Sequence, residues 1–371
     1  MRGRHAVMVG FGVGALTVLG VVAATSTGVF QTNARQASNS ATVSPSPSPS
    51  PSPAATPTSG LPGPRAGATL VYDPENKGVI LFGGVYTVPR SDGTNEGVST
   101  GDTWLWAGKS WQRLEVSGPP ARSVPMAAYD SARHVVVLFG GGGPSGAPPA
   151  QLLNDTWTWD GVSWTELHPA HVPDGRIRAG MAFDQRSGVV VMYGGEGATS
   201  GFTDTWTWDG ADWTLQDPAT SPPTRHFASM AYDPANGNTV LFGGSMPGVR
   251  LNDTWTWDGT TWTKQAAAPP AARGSSYMTY DPVVKQIVAF VYFGLDNHDP
   301  AGYTITWDGS RWTDRTNASQ PSPRADVAIA YDQVTRQVVV YGGTFDQPQP
   351  FAETWVWDGS TWSLWSPAAG A

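Results

Sequence analysis

The sequence predicts an all-β fold: a six-bladed β-propeller with four antiparallel strands per blade, preceded by a hydrophobic helix and a Pro/Ser linker. Three observations predict it. A motif recurs six times at a period near fifty residues, and the chain is rich both in turn-forming residues and in tryptophan. Of 371 residues, 44 are glycine and 32 proline, enough to end many short strands, while 18 tryptophans argue against a disordered chain. There is no cysteine, which excludes a disulfide scaffold and a Cys-ligated metal centre. Charged residues make up only 14% and the net charge is −8, which argues against a nucleic-acid partner, since that would call for a basic stripe.

Residues 1–35 open with Met1-Arg2-Gly3-Arg4-His5 and then carry no charge from Ala6 to Asn33. From Ala6 to Ala24 the only polar side chain is Thr17, and this stretch is just long enough to cross a bilayer as a helix. Basic residues before such a segment mark a signal anchor or a signal peptide, distinct from the folded domain. Its length favours an uncleaved anchor, whereas Val22-Ala23-Ala24 would serve as a cleavage site. In either case the arginines stay in the cytoplasm and the rest lies outside. The expected location is the cell membrane, single-pass with the propeller outside, or the exterior after cleavage.

Residues 36–63 form a Pro/Ser-rich linker, with strict Ser-Pro alternation from Ser44 to Pro53. Alternating proline favours extended polyproline II, so this segment reads as an uncharged stalk rather than a packed element.

Residues 64–371 carry the repeats. An arginine stands eight positions before the Asp of an aromatic-Asp pair at Arg65, Arg122, Arg176, Arg225, Arg273 and Arg324. Nine residues after that Asp comes an aromatic, followed in five copies by Gly-Gly. A variable loop then leads to Asp-Thr-Trp-x-Trp-Asp-Gly-x-x-Trp or a close relative, as in Asp155 to Trp164. Each copy reads as four short strands. Strand A follows the arginine, strand B ends at Gly-Gly, strand C is Thr-Trp-x-Trp, and the Asp-Gly turn leads into strand D. Both ends of the repeat region coincide with whole blades, so ring closure is expected to rest on packing between blades one and six.

The Arg, the Gly-Gly and the later Trp resemble the kelch repeat in its galactose-oxidase-like propeller form, over residues 64–365. The WD40 repeat fits less well because its period is shorter. The resemblance implies a six-bladed kelch-type propeller of the kind that hosts both binding domains and enzymes. The copper-radical cofactor of galactose oxidase needs a cysteine cross-linked to tyrosine, so that chemistry is excluded and no cofactor is expected.

Seventeen tryptophans occupy three repeat positions in strands C and D, and only Trp365 is extra. Recurrence in every blade makes them packing residues rather than a ligand platform. The direction of the strands puts the starts of the A strands and the B–C and D–A loops on one end of the propeller, here the loop face. The tight A–B and C–D turns lie on the other, the turn face. The six arginines are expected to ring the channel mouth on the loop face, paired with the Asp that opens strand C or with loop carbonyls. Asp73, Asp130, Asp184, Asp233, Asp281 and Asp332 are expected to cap A–B turns, as Asp160, Asp209, Asp258, Asp308 and Asp358 cap C–D turns.

None of the six histidines has metal-ligand spacing, so no metal site is expected. The scarce glutamates form no acid–base pair by motif, so no catalytic residue is assigned. The fifth copy breaks the pattern: Val291-Tyr292 replaces Gly-Gly, Tyr303 the Asp and Ile305 a Trp. Ligands favour variable loops on a rigid scaffold, and arginines favour anions. The predicted ligand site is therefore Arg225, His226, Arg273, Tyr292, Asp296, His298 and Arg324, on the loop face of blades four to six. The expected function is an extracytoplasmic binding module, a monomeric propeller, for a glycan or protein ligand. The alternative is a carbohydrate-active hydrolase or lyase on the same scaffold.

Overall fold

The computed structural model describes residues 57–91, 93–144, 151–265, 271–293, 301–345 and 349–365. Residues 1–56, which hold the hydrophobic segment and most of the linker, lie outside the described residues, as do Asp296 and His298. The described residues form six blade sheets with four antiparallel strands in the order A-B-C-D, and two small hairpins between strands B and C of blades one and four, Val85–Pro89 with Asn95–Ser99 and Ser245–Met246 with Val249–Arg250. Blade one consists of Thr69–Asp73, Gly78–Phe82, Thr103–Trp106 and Trp111–Leu114. The A strands stand inside, each neighbouring the next, and the ring closes between Thr69–Asp73 and Ala328–Asp332. This is a six-bladed propeller.

Pro57–Ser59, within the stretch read as linker, pairs antiparallel with the outermost strand of blade one, Pro57 opposite Leu114. It widens that blade at its outer edge and takes no part in closure. Closure rests on packing: Leu70, Leu81, Trp106 and Trp111 of blade one share a core with Ala328, Ala330, Val339 and Tyr341 of blade six.

The repeat residues make the same contacts at each junction. The strand D tryptophan donates its Nε1–H to the threonine opening strand C of the preceding blade. The six bonds are Trp111 to Thr354, Trp164 to Thr103, Trp213 to Thr156, Trp262 to Thr205, Trp312 to Thr254 and Trp362 to Thr304, at 2.8–3.0 Å. The aromatic that ends strand B packs its ring on the same indole, as Phe139 does on Trp213 at 5.1 Å and Tyr341 on Trp111 at 5.1 Å. Each indole is thus buried with its polar atom satisfied, which a large aromatic core residue requires. The tryptophans are blade-to-blade packing, as their recurrence indicates.

Gly-Gly has a steric cause. Gly83 has φ 71°, and a Cβ there would lie 2.8 Å from the Arg122 carbonyl oxygen of the next blade. The Gly84 N–H donates to that same oxygen at 2.9 Å, so the backbones meet where no side chain fits. Blade five, with Val291-Tyr292 instead, continues its ladder: Ser275–Asp281 pairs with Gln286–Phe293, and Ser275 lies opposite Tyr292.

Candidate functional site

Both channel ends are candidates, and the arginines come first because they determine what the loop face presents. Arg65, Arg122, Arg176 and Arg225 each grip a strand C aspartate with two hydrogen bonds: Asp102, Asp155, Asp204 and Asp253 at 2.7–3.2 Å. Arg324 holds Glu353 at 2.8 Å. Each of the five also donates Nε–H to a carbonyl two residues upstream and an Nη1–H to the first glycine of its own Gly-Gly, as Arg225 does to Pro223 and Gly243. All five are buried. They therefore do not ring the channel mouth. Their donors are consumed inside the blade, and the favoured expectation of a strand C partner is what occurs.

The sixth arginine differs. Tyr303 stands where the other blades have a carboxylate, and among the described residues no carboxylate pairs with Arg273. Arg273 is exposed, its guanidinium 4.6 Å from the Phe293 ring centroid.

Of the predicted site residues, Arg225 and Arg324 are thus engaged within their blades. His226, Arg273 and Tyr292 remain on the loop face. Tyr292 lies 6.3 Å, centroid to centroid, from Phe345 of blade six. Arg250 passes over Gly274, its Cδ 3.4 Å from where a Cβ would stand, which brings it beside Arg273 and Tyr292. His226 is half-buried beside Phe227, with Glu196, Arg178 and Arg250 close enough to act on it electrostatically. Burial pushes its pKa below the ordinary 6.5; Glu196 opposes this, while Arg178 and Arg250 add to it.

The unfolded chain takes up the His226 proton at a higher pH than the folded one does. The stability tied to neutral His226 is full above pH 6.5 and is lost as pH falls through the folded value. NMR titration should place His226 below 6.5, and a value above that would refute this electrostatic picture.

The mouth itself is built from residues two beyond each arginine. Gly67, Val124, Arg178, Phe227 and Asp326 all have left-handed φ between 46° and 63°. Four of them are not glycine, a conformation that persists only when its surroundings impose it. Here the surroundings are neighbouring blades. Gly67 N–H donates to Asp326 C=O, Val124 to Gly67, Phe227 to Arg178, and Ser276 to Phe227, at 2.6–3.1 Å, while Asp326 N–H donates to the Tyr277 hydroxyl. Across this ring Arg178 reaches from blade three to Asp326 of blade six at 3.8 Å, besides Glu196 at 3.2 Å and the face of Phe227 at 4.2 Å. Below it lies a cavity of about 170 Å³. Sequence reasoning missed Arg178 and Asp326. Their signal was a position, two after the arginine, where residue type varies while spacing does not.

At the turn face the channel opens into a cavity of about 480 Å³. The capping expectation holds in all six A–B turns: Asp73 Oδ1, for example, accepts the Glu75 and Asn76 N–H groups at 3.0 and 3.3 Å. The five C–D aspartates do the same. Among the described residues no group of three or more His, Asp or Glu side chains is arranged to hold a metal ion. No family model matches this chain, and no curated protein matches it significantly.

Proposed function

We propose that this chain is an extracytoplasmic binding module of the kelch type. Its N-terminal hydrophobic segment holds it at the membrane or is removed by cleavage, and the Pro/Ser stalk holds the propeller away. Its loop face, over blades three to six, takes an anionic group of a glycan or protein ligand. The kelch reading rests on the in-phase Arg, Gly-Gly and Trp of the repeats. The observation that carries the site is Arg273: the one repeat arginine without a carboxylate among the described residues, exposed beside Arg250 and His226, with Arg178 beyond. The molecule as a whole is acidic and Arg178 is paired with Glu196 and Asp326, so the positive charge offered here is local and centred on Arg273. Asp296 and His298, in the segment between strands B and C of the same blade as Arg273, join the proposed site on sequence grounds alone.

The test is a binding screen of the chain against sulfated and carboxylated glycans, acidic peptides and their neutral counterparts. Anionic members are expected to bind, and Arg273→Ala to weaken that binding about tenfold or more, the worth of one charge-assisted contact. Binding that ignores ligand charge, or that survives Arg273→Ala in folded protein, would sink the site. Turnover of a glycan in the same screen would replace the binding reading with the enzymatic one.

A further inference from the structure

The aromatic residues that precede the capping aspartates meet at the turn face. Tyr72, Tyr129, Phe183, Tyr232, Tyr280 and Tyr331, one from each blade, line the cavity of about 480 Å³ there. Residues two earlier on the same strands share that side of the chain, and they make the floor: Leu70, Met181, Met230, Met278 and Ile329. Ser131, Gln185 and Gln333 stand at the rim. The volume falls within the range of small-molecule sites, and the lining combines apolar depth with a few polar groups at the edge.

Charge surrounds this cup. The six capping aspartates are all nearly fully buried, next in sequence to the aromatic residues. One oxygen of each is engaged with its turn, so they act on the cup through charge rather than as ligands; Asp130 shares its charge with Arg133 at 2.7 Å, and burial pushes the Asp281 carboxyl above its ordinary value. Counted over the A–B and C–D turns and the strand ends, this face holds thirteen acids: the eleven capping aspartates, Glu75 and Asp212. Against them stand seven cations, Lys77, Lys109, Arg133, Arg186, Lys285, Arg311 and Arg336. Burial first, and the neighbouring aspartates second, act on the tyrosines. Burial raises the pKa of Tyr72 and of Tyr280 above the ordinary phenol value, and Asp332 with Asp73, or Asp233 with Asp281, raises them further. Arg186 and Arg336 oppose the shift at Tyr232 and Tyr331, yet both phenols still lie above the ordinary value.

We infer that the turn-face cup is a binding site for a small organic cation of the alkylammonium class, held by the ring of aromatic residues with its apolar part against the methionine and leucine floor. Aromatic faces attract a poorly hydrated cation through their quadrupole, and a low-dielectric cup backed by carboxylates strengthens that attraction. An anion would meet the same field as repulsion. This inference does not rest on the loop-face reading.

Calorimetric titration of the full-length chain in a non-ionic detergent tests it, with choline, phosphocholine and 3,3-dimethylbutan-1-ol, the neutral isostere of choline. Choline should bind saturably and about tenfold or more tighter than the isostere, with the difference shrinking at high salt. Phosphocholine should bind more weakly than choline, since its phosphate faces the acidic ring; tighter phosphocholine binding would refute the field argument. Tyr232→Leu and Tyr280→Leu should each weaken choline binding several-fold, while the Tyr→Phe variants and Arg273→Ala keep it. Equal binding of choline and its isostere, or no saturable choline binding, overturns the inference on the unmodified protein. That comparison decides the matter even where a leucine variant fails to fold.

Discussion

Replacing Arg225 with methionine is expected to cost about 3–5 kcal/mol of stability, far more than the same change at Arg273. Arg225 is buried and satisfies four acceptors at once: both oxygens of Asp253 and the carbonyls of Pro223 and Gly243. Methionine fills part of the volume and leaves a partly buried carboxylate with the Trp255 indole N–H at 2.8 Å and the more distant charge of Lys264. Removing one partner of a buried pair is costly because the other stays desolvated. Arg273 is exposed and clamps no carboxylate among the described residues, so Arg273→Met should stay within about 0.5 kcal/mol of the parent. The pH dependence adds a second readout. Burial pushes the Asp253 carboxyl up, but the Arg225 hydrogen bonds and charge, with Trp255, bring it below the ordinary carboxylate value. A carboxylate depressed on folding lends stability that is present above its unfolded pKa and is lost as pH falls through the folded one. Arg225→Met should therefore unfold less steeply with acid as well as from a lower starting point. Urea denaturation at several pH values measures both, and a loss below about 1 kcal/mol at neutral pH would show that the clamp is dispensable.

What the sequence disclosed about the fold, and what it left hidden about the site, follow from the same repetition. Contacts made alike in every blade leave a periodic signature. The Arg–Asp clamp, the Gly-Gly approach and the indole packing are visible as spacing before any coordinates, and they determine blade number and strand order. The threonine of Asp-Thr-Trp was equally visible but carried no assigned role, because its partner indole sits on another blade, some sixty residues away. The channel is the reverse case. Its mouth takes one residue from each of five blades, two beyond the arginine, and residue type there varies because its partners lie on other blades. Arg178 and Asp326 are far apart in the chain and meet only because the ring closes. The arginine ring failed as a mouth for a related reason. Strand A is innermost, as expected, but five of the six arginines, all except Arg273, turn back into their own blades toward strand C, leaving the mouth to the left-handed residues two further on. The aromatic cup leaves no such signature, because each aromatic residue reads in sequence as half of an aromatic-Asp turn signal, and only six of them together form a surface.

The seam between blades one and six gives the second large effect, through Trp111→Ala. Trp111 is 2% exposed, packs on Trp106 at 5.3 Å and Tyr341 at 5.1 Å, and donates to Thr354 across the seam at 2.9 Å. Truncating a buried tryptophan costs about 3–5 kcal/mol, and here an orphaned threonine hydroxyl is added. Trp262 occupies the equivalent place between blades three and four, packed on Tyr193 at 5.2 Å and bonded to Thr205 at 2.9 Å. On packing grounds alone, Trp111→Ala and Trp262→Ala should lower global stability by similar amounts. Their local consequences should differ. Blades three and four remain joined by the chain from Gln216 to Ser229, so loosening their interface cannot separate them far. Among the described residues no strand of one blade is lent to the other across the seam between six and one, where the ring is held by this core, by the Tyr341 hydroxyl donating to Pro62 and Gly63, and by backbone bonds from Arg65 to Phe351, Gly67 to Asp326 and Gly343 to Arg65, with no covalent connection behind them. Trp111→Ala should therefore open the ring there before the rest unfolds, a sub-global opening of the kind hydrogen exchange detects. The amides of Thr69–Asp73 and Ala328–Asp332 should lose protection well beyond the global loss, while those of Met126–Asp130 follow the global value. In Trp262→Ala, by contrast, the A strands of blades three and four should follow the global value too. Equal loss of protection around the whole ring in both variants would mean that the propeller opens only as one cooperative unit, and that the seam is no weaker than any other junction.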